Sequence, residues 1–404
     1  MHKFRPFEGV VLTFLLVTFL MTACGDTSPT SAPSTTTAAA TTVAAPSTAP
    51  ASTTAATTTA TTTTASATVA ATTTTTSATV APTTILPTTA ATTTVAPTTI
   101  LPNTAVPATT VVNSTTSAQD ASSPVQFVWK TSGDAAKPLS GAFSVAVDNQ
   151  GNIYVGLVDV DQVQKLDSNG KFLASWGKTG SGDGDFMFKS AGNTEVALAL
   201  DAQDNVYVSD LNRRIQKFDA NGKFLLKWGS QGDAEGQFQG SIGLATDSQG
   251  NVYVSDIFNN VIQKFDANGK FLLKWGSTGS NDGQFKKVAG IAIDKQGNLY
   301  AVDNGLNRVQ KFDANGKFVA KWDSSGQFNG LTGVAVDSQN NVYVCDQVGT
   351  VQKLDSQGKV LGRWGGKGSG DGEFNIPTSL AVDKQGNVYV ADWMNNRVQK
   401  FRPR

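Results

Sequence analysis

Residues 290–318 read GIAIDKQGNLYAVDNGLNRVQKFDANGKF. A short apolar run ends at Asp294, a Gly297-Asn298 turn follows, a second apolar run ends at Asp303, and Arg308 to Phe312 leads into another turn at Asn315-Gly316. Brief runs rich in Val, Ile, Tyr and Phe, broken by Gly, Asn and Asp, predict strands joined by tight turns. No stretch of ten residues carries helical periodicity.

The same phrase recurs along the chain. Its run-ending aspartates are Asp148, Asp201, Asp247, Asp294, Asp337 and Asp383, spaced 53, 46, 47, 43 and 46 residues apart, in the range of propeller blades. Leu198 to Leu200 and Val206 to Val208 are nearly continuous apolar runs, as expected of inner strands covered on both faces. Lys223 to Trp228 alternates, with Phe224, Leu226 and Trp228 on one face and Lys227 on the other, as an outer, half-exposed strand would. Strand order from the axis outward therefore follows the chain. The turns at 249–251 and 266–270 supply Gly and Asn where antiparallel strands reverse.

Five units are complete, and the sixth stops after its third strand. Val125 to Lys130 reads as the missing fourth strand, with Trp129 matched to Trp176, Trp228, Trp275, Trp322 and Trp364. Pairing it beside Val398 would remove the free edge of the last sheet. The expected fold is all-β: a six-bladed propeller of four-stranded antiparallel blades, closed by an N-terminal strand.

The DGQF at 282–285 followed by the 290–318 stretch resembles the NHL repeat. That pattern runs through Gly-Gln-Phe, an apolar strand ending in Asp, Gly-Asn-hydrophobic-Tyr-Val, and Asn-x-Arg-hydrophobic-Gln-Lys-Phe. The resemblance covers residues 125–404 and is renewed six times. Departures are local: Gly156 stands before a position where blade one lacks the usual Asp, and Val261 and Thr350 stand where other units have Arg214, Arg308 and Arg397.

Lys3 and Arg5 precede an apolar stretch, Val10 to Leu20, that ends at Met21-Thr22-Ala23-Cys24. This resembles the lipobox of a bacterial lipoprotein signal. It implies a signal peptide over residues 1–23 and a lipid-bearing (palmitate) Cys24. Residues 24–124 are rich in Thr, Ala, Pro and Ser and carry too little apolar surface to order themselves, so they read as a linker. The propeller, 125–404, is thereby expected outside the cytoplasm, anchored to a membrane.

Lys plus Arg number 32, as do Asp plus Glu, so nothing in the charge balance seeks nucleic acid. The single histidine is His2, within the signal. A Ser-His-Asp arrangement is therefore excluded from the propeller, and so are the histidine-dependent mechanisms of streptogramin and peptide-amidating lyases, which have similar propellers. Carboxylate chemistry remains: the alternative reading is a calcium-dependent hydrolase or lactonase at the central channel, with Asp159, Asp161 and Glu195 as candidate ligands. Asp210, Asp256, Asp303, Asp346 and Asp392 recur in five of six units and read as structural. Gly182-Asp183-Gly184-Asp185 resembles the start of a calcium loop but recurs in variant form as a blade connection. Cys345 reads as a small buried hydrophobe without a disulfide partner.

Both kinds of short turn lie on one face. The loops between second and third strands and the long connections between blades lie on the other, and there the units differ. That variable face carries the apolar loop residues Phe258, Leu306, Trp393 and Met394, and near it stand Arg214, Arg308 and Arg397. The expectation is a monomeric, non-catalytic propeller without cofactor, binding a protein, peptide or cell-envelope glycan through these residues.

Overall fold

The computed structural model describes residues 123–323 and 328–404. The expected signal peptide, Cys24 and almost all of the linker lie outside the described residues. Six four-stranded antiparallel sheets follow one another along the chain, the first five hydrogen-bonded in chain order and the sixth completed by the first strand of the propeller. Blade 1 is Ala142–Val147, Ile153–Leu157, Gln162–Leu166 and Phe172–Trp176. Blades 2 to 5 repeat it over 198–228, 241–275, 288–323 and 331–365. Blade 6 consists of Pro377–Val382, Val388–Asp392 and Arg397–Pro403, with Val125–Thr131 as its fourth strand.

The closing strand sits where the sequence placed it, but two residues out of the expected register. Trp129 pairs with Lys400, and Thr131 pairs with Val398. In blade 2 it is Leu226 that pairs with the corresponding Lys217, and Trp228 with Ile215. Thr131 therefore holds the slot of the other tryptophans. Trp129 points to the same side of the strand from two residues earlier, and its ring meets Tyr389 at 6.2 Å, as Trp228 meets Tyr207.

The apolar clusters lie in the seams between blades. Trp176 packs edge-on to Tyr154 of its own blade and against Phe218 of the next. Gly222 sits under that indole at φ +83°, and a Cβ there would lie 2.6 Å from Trp176 Cδ2. Nearer the axis the inner strands approach closely: a Cβ on Gly243 would lie 2.4 Å from Ser255 Oγ and 2.6 Å from the Ala289 carbonyl. Small residues there are a condition of closing the ring.

The face with the short turns, here the constant face, repeats one cluster six times. In blade 4, Asp294 Oδ1 accepts the Gln296 and Asn298 backbone N–H groups at 3.0 and 2.8 Å, and Oδ2 accepts Asn298 Nδ2 at 2.8 Å and Tyr300 Oη at 3.0 Å. Lys311 lies 3.8 Å from Asp294 and over the Tyr300 ring. Elsewhere this lysine reaches the next blade, as Lys165 does in donating to the Ala220 carbonyl at 3.2 Å. The recurring phrase is thus a turn, a capped tyrosine and a link between blades.

Candidate functional site

Two places in a propeller can hold a ligand: the axial channel and the face that varies. The channel is a cavity of about 80 Å³ lined by residues 143–145, 196–198, 243–244, 290–291, 332–334 and 378–380. Small-molecule pockets run to roughly 300 Å³ and above. Its polar side chains are Ser144, Thr332, Thr378 and Ser379, and all four tie one inner strand to the next. Ser144 Oγ accepts the Leu198 N–H at 3.1 Å, Ser379 Oγ accepts the Val145 N–H at 3.2 Å, and Thr332 and Thr378 donate to the Pro377 and Phe143 carbonyls. No carboxylate lines it.

The three acids considered for a metal each have another partner. Asp159 pairs with Lys189 at 2.7 Å on the surface. Asp161 accepts Thr179 Oγ1 and the Phe188 N–H, both at 2.6 Å. Its backbone is left-handed at φ +51°, like Asn260, Asn307 and Asn396 at the same point of their blades. Those asparagines also accept an N–H from the next blade, Asn307 from Gly330 at 2.7 Å and Asn396 from Gly141 at 2.6 Å. Asp161 is therefore one member of a series of interblade clasps. Glu195 is 2 % exposed and ion-paired to Arg213. Arg213 holds the left-handed slot in blade 2 at φ +61°, and Glu195 stands where other blades have the buried Ala142, Val288 or Leu331. Among the described residues no three His, Cys, Asp or Glu side chains are grouped to hold a metal ion.

The recurring aspartates and arginines lock the incoming connections. Arg397 donates to the Ser369 carbonyl at 2.6 Å, to the Glu373 carbonyl at 2.7 Å and to Asp392 at 2.7 Å. Arg214 and Arg308 bind the carbonyls of Ser181 and Asp185, and of Ser280 and Gln284, in the same way. All three are buried. A glutamine one rung further along completes the lock: Gln216 Oε1 accepts the Gly184 N–H and its Nε2 donates to the Asp185 carbonyl. The Gly-Asp-Gly-Asp stretch is held as a blade connection, with Asp183 ion-paired to Lys227. Burial raises the Asp210 and Asp346 carboxyls above the usual carboxylate range, against the hydrogen bonds that each accepts. Cys345 is buried and unpaired by disulfide, and burial pushes its thiol up to about 12.

The remaining candidates differ in exposure. Phe258 is 58 % exposed and Met394 46 %. Leu306 is half-buried. Trp393 packs edge-on against Phe143 across the seam between blades 6 and 1, with ring centroids 5.2 Å apart. Val160 and Val348, unremarked in the sequence, are also exposed loop residues on this face. Their signal was available: each lies two or three residues beyond the end of a second strand, as Phe258 and Met394 do. The connection into blade 2 adds an exposed hairpin, Lys189–Ser190 paired with Asn193–Thr194.

The fold and its repeated clusters define a six-bladed β-propeller, and residues 234–353 match a family described by that architecture, DUF5128, 6-bladed beta-propeller. The chain carries the NHL repeat, which matches residues 374–401. No curated protein matches the sequence. Among solved structures, a streptogramin B lyase is similar at 12 % identity and a TM-score of 0.48, covering 66 % of this chain and 94 % of its own. A catalytically inactive virginiamycin B lyase from Staphylococcus aureus with quinupristin is similar at 12 % identity and a TM-score of 0.47, covering 65 % of this chain and 80 % of its own. Likenesses this distant carry nothing about activity.

Proposed function

We propose that this protein is a non-catalytic propeller that binds a protein, peptide or cell-envelope glycan through its variable face. We further propose that it is held outside the cytoplasm by a lipid on Cys24. The observation that carries the binding reading is the contrast between faces. One repeats a single internally satisfied cluster, whereas the other presents Phe258, Met394, Val160 and Val348 on loops that differ from blade to blade. Exposed apolar side chains on a rigid ring are the ordinary anchors of a recognition surface. The channel argues in the same direction, since its lining side chains bind neighbouring strands and include no acid.

The test compares the full chain with two double variants for binding to isolated envelope proteins and envelope glycan. Phe258→Ser with Met394→Ser is expected to weaken binding about ten-fold or more. Gln249→Ser with Gln296→Ser, on the constant face, is expected to leave it unchanged. Equal loss in both, or binding abolished by a calcium chelator, would overturn the reading.

A further inference from the structure

In blades 3 and 4 the last residues of the incoming connection lie against the loop between the second and third strands. The Gly240 and Lys287 carbonyls accept the Ile257 and Asn304 N–H groups at 2.8 and 2.9 Å. The two blades fill this contact in opposite ways. In blade 3 the glycine is in the connection, and a Cβ on Gly240 would lie 2.5 Å from Phe258 Cδ2. In blade 4 the glycine is in the loop, where Gly305 stands at the position of Phe258. A Cβ there would lie 2.7 Å from Lys286 Cβ and 3.2 Å from Lys287 Cβ. One blade presents an aromatic ring, and its neighbour presents two lysines.

The lysines are fixed through their backbone, with both N–H groups donating to Asp303 Oδ1 at 3.1 Å. Their side chains are exposed, and among the described residues neither ammonium has an ion pair or hydrogen bond. The acid of the same connection, Asp282, is taken by Lys321 at 2.8 Å. The loops 257–260 and 304–307, IFNN and NGLN, contain no acid. Blades 3, 5 and 6 have Gln239-Gly240, Asn329-Gly330 and Asn375-Ile376 where blade 4 has the lysines. The seam between blades 3 and 4 is bridged by Asn260, whose Oδ1 accepts the Val288 N–H at 3.4 Å and whose Nδ2 donates to Thr278 Oγ1 at 3.1 Å. Phe258, the most exposed large apolar side chain among the described residues at 58 %, therefore shares one rigid frame with two uncompensated positive charges.

We infer that this seam docks a peptide segment of the partner in which carboxylates stand beside an apolar side chain. The carboxylates meet the Lys286 and Lys287 ammonium groups, and the apolar side chain covers the Phe258 ring. Opposite charges set the register of such a contact, while the buried ring holds it. The remaining exposed residues of the face, Val160, Val348 and Met394, are aliphatic and gain by burying apolar side chains, which a peptide supplies and an anionic glycan does not. The inference rests on the binding reading above and names the chemistry of the partner at one point of that face.

The experiment follows the fluorescence anisotropy of fluorescein-labelled Gly-Asp-Asp-Leu-Leu-Gly-amide titrated with the full chain. Saturable binding is expected, weaker at high salt and about five-fold weaker or more with Lys286→Gln and Lys287→Gln combined. Phe258→Ser is expected to weaken it comparably, whereas Lys295→Gln with Lys384→Gln, two exposed lysines of the constant face, is expected to change nothing. Lys286→Glu with Lys287→Glu is expected to exchange the preference for that of the matching Gly-Lys-Lys-Leu-Leu-Gly peptide, a gain that a misfolded variant would not show. No saturable binding, equal binding of the Asn-Asn analogue, or equal loss with the constant-face lysines would overturn the inference. Tighter binding of dextran sulfate through the same two lysines would also overturn it, by giving the seam to an anionic glycan. Binding to envelope proteins that falls with Phe258→Ser and Met394→Ser but not with the lysine variant would overturn it and leave the face reading standing.

Discussion

The constant and variable faces are built from the same six repeats yet obey different rules. On the constant face every blade closes its first turn identically: an aspartate caps the turn, a buried tyrosine donates to it, and a lysine lies over the ring. On the variable face one geometric demand, a left-handed residue before the third strand, is met by Asn260, Asn307 and Asn396 but also by Asp161 and Arg213. The backbone requirement is shared and the side chain is free to differ. Repetition in this chain marks what holds the ring together, and departure marks where the ring tolerates new chemistry.

The sharpest test of the constant face is alkaline pH. All six tyrosines of the protein belong to the repeated cluster. Burial first, and the adjacent aspartate second, raise each hydroxyl far above its ordinary value. Above the unfolded tyrosine pKa of about 10 the folded chain keeps protons that the unfolded chain has lost. Stability is therefore complete below that pH and falls steeply as pH rises through and beyond it. Cys345, at about 12, contributes with the same sign. Tyrosinate absorbance is expected to stay absent near pH 10.5 while the fold persists, then to appear for all six in one cooperative unfolding step. A tyrosine that ionises near pH 10 in the intact fold would break the equivalence of the six clusters.

Single substitutions rank next. Asp294→Ala removes the four hydrogen bonds accepted by a buried carboxylate and is expected to cost about 3–4 kcal/mol in urea unfolding. Asp282→Ala, which breaks an ion pair on the variable side whose partners are about half exposed, is expected to cost less than about 1 kcal/mol. Equal losses would erase the distinction between the faces.

Blade 2 offers a finer test, because there the variable face reaches into the core. Arg213→Asn removes the ion-pair partner of the buried Glu195 carboxylate and is expected to cost about 2–3 kcal/mol, moderated by the partial exposure of the arginine. Adding Glu195→Val restores the pattern of the other blades and is expected to recover all but about 1 kcal/mol. Recovery of stability would mark the pair as an exchange of one seam contact for another. Failure to recover would mean that blade 2 depends on the charge itself.

Periodicity made the architecture legible, down to the closing strand, because each strand repeats one burial pattern. Trp129 was misplaced by matching tryptophan to tryptophan. The bulge at Val128 and the shared Phe127 and Lys130 positions show that Thr131 is the true equivalent of Trp228. The roles of Arg214, Arg308 and Arg397 were harder to read, since their partners are mostly backbone carbonyls, which leave no trace in sequence. Asp161 looked like a departure until its left-handed backbone joined it to Asn260 and Asn307.

The smallest effect bears most directly on function. Phe258 and Met394 are exposed loop residues whose side chains no seam requires, so Phe258→Ser and Met394→Ser are each expected to change unfolding free energy by less than about 0.5 kcal/mol. Under the binding proposal, a partner covers the Phe258 ring, which is 58 % exposed in the free protein and gains nothing there from burial. Covering it would restore that gain at the interface, so the variants should weaken partner binding while urea midpoints stay in place. A midpoint shift as large as that of Asp294→Ala would instead make Phe258 part of the seam between blades 2 and 3, where its ring already lies over Gly240. The variable face would then be as structural as the constant one.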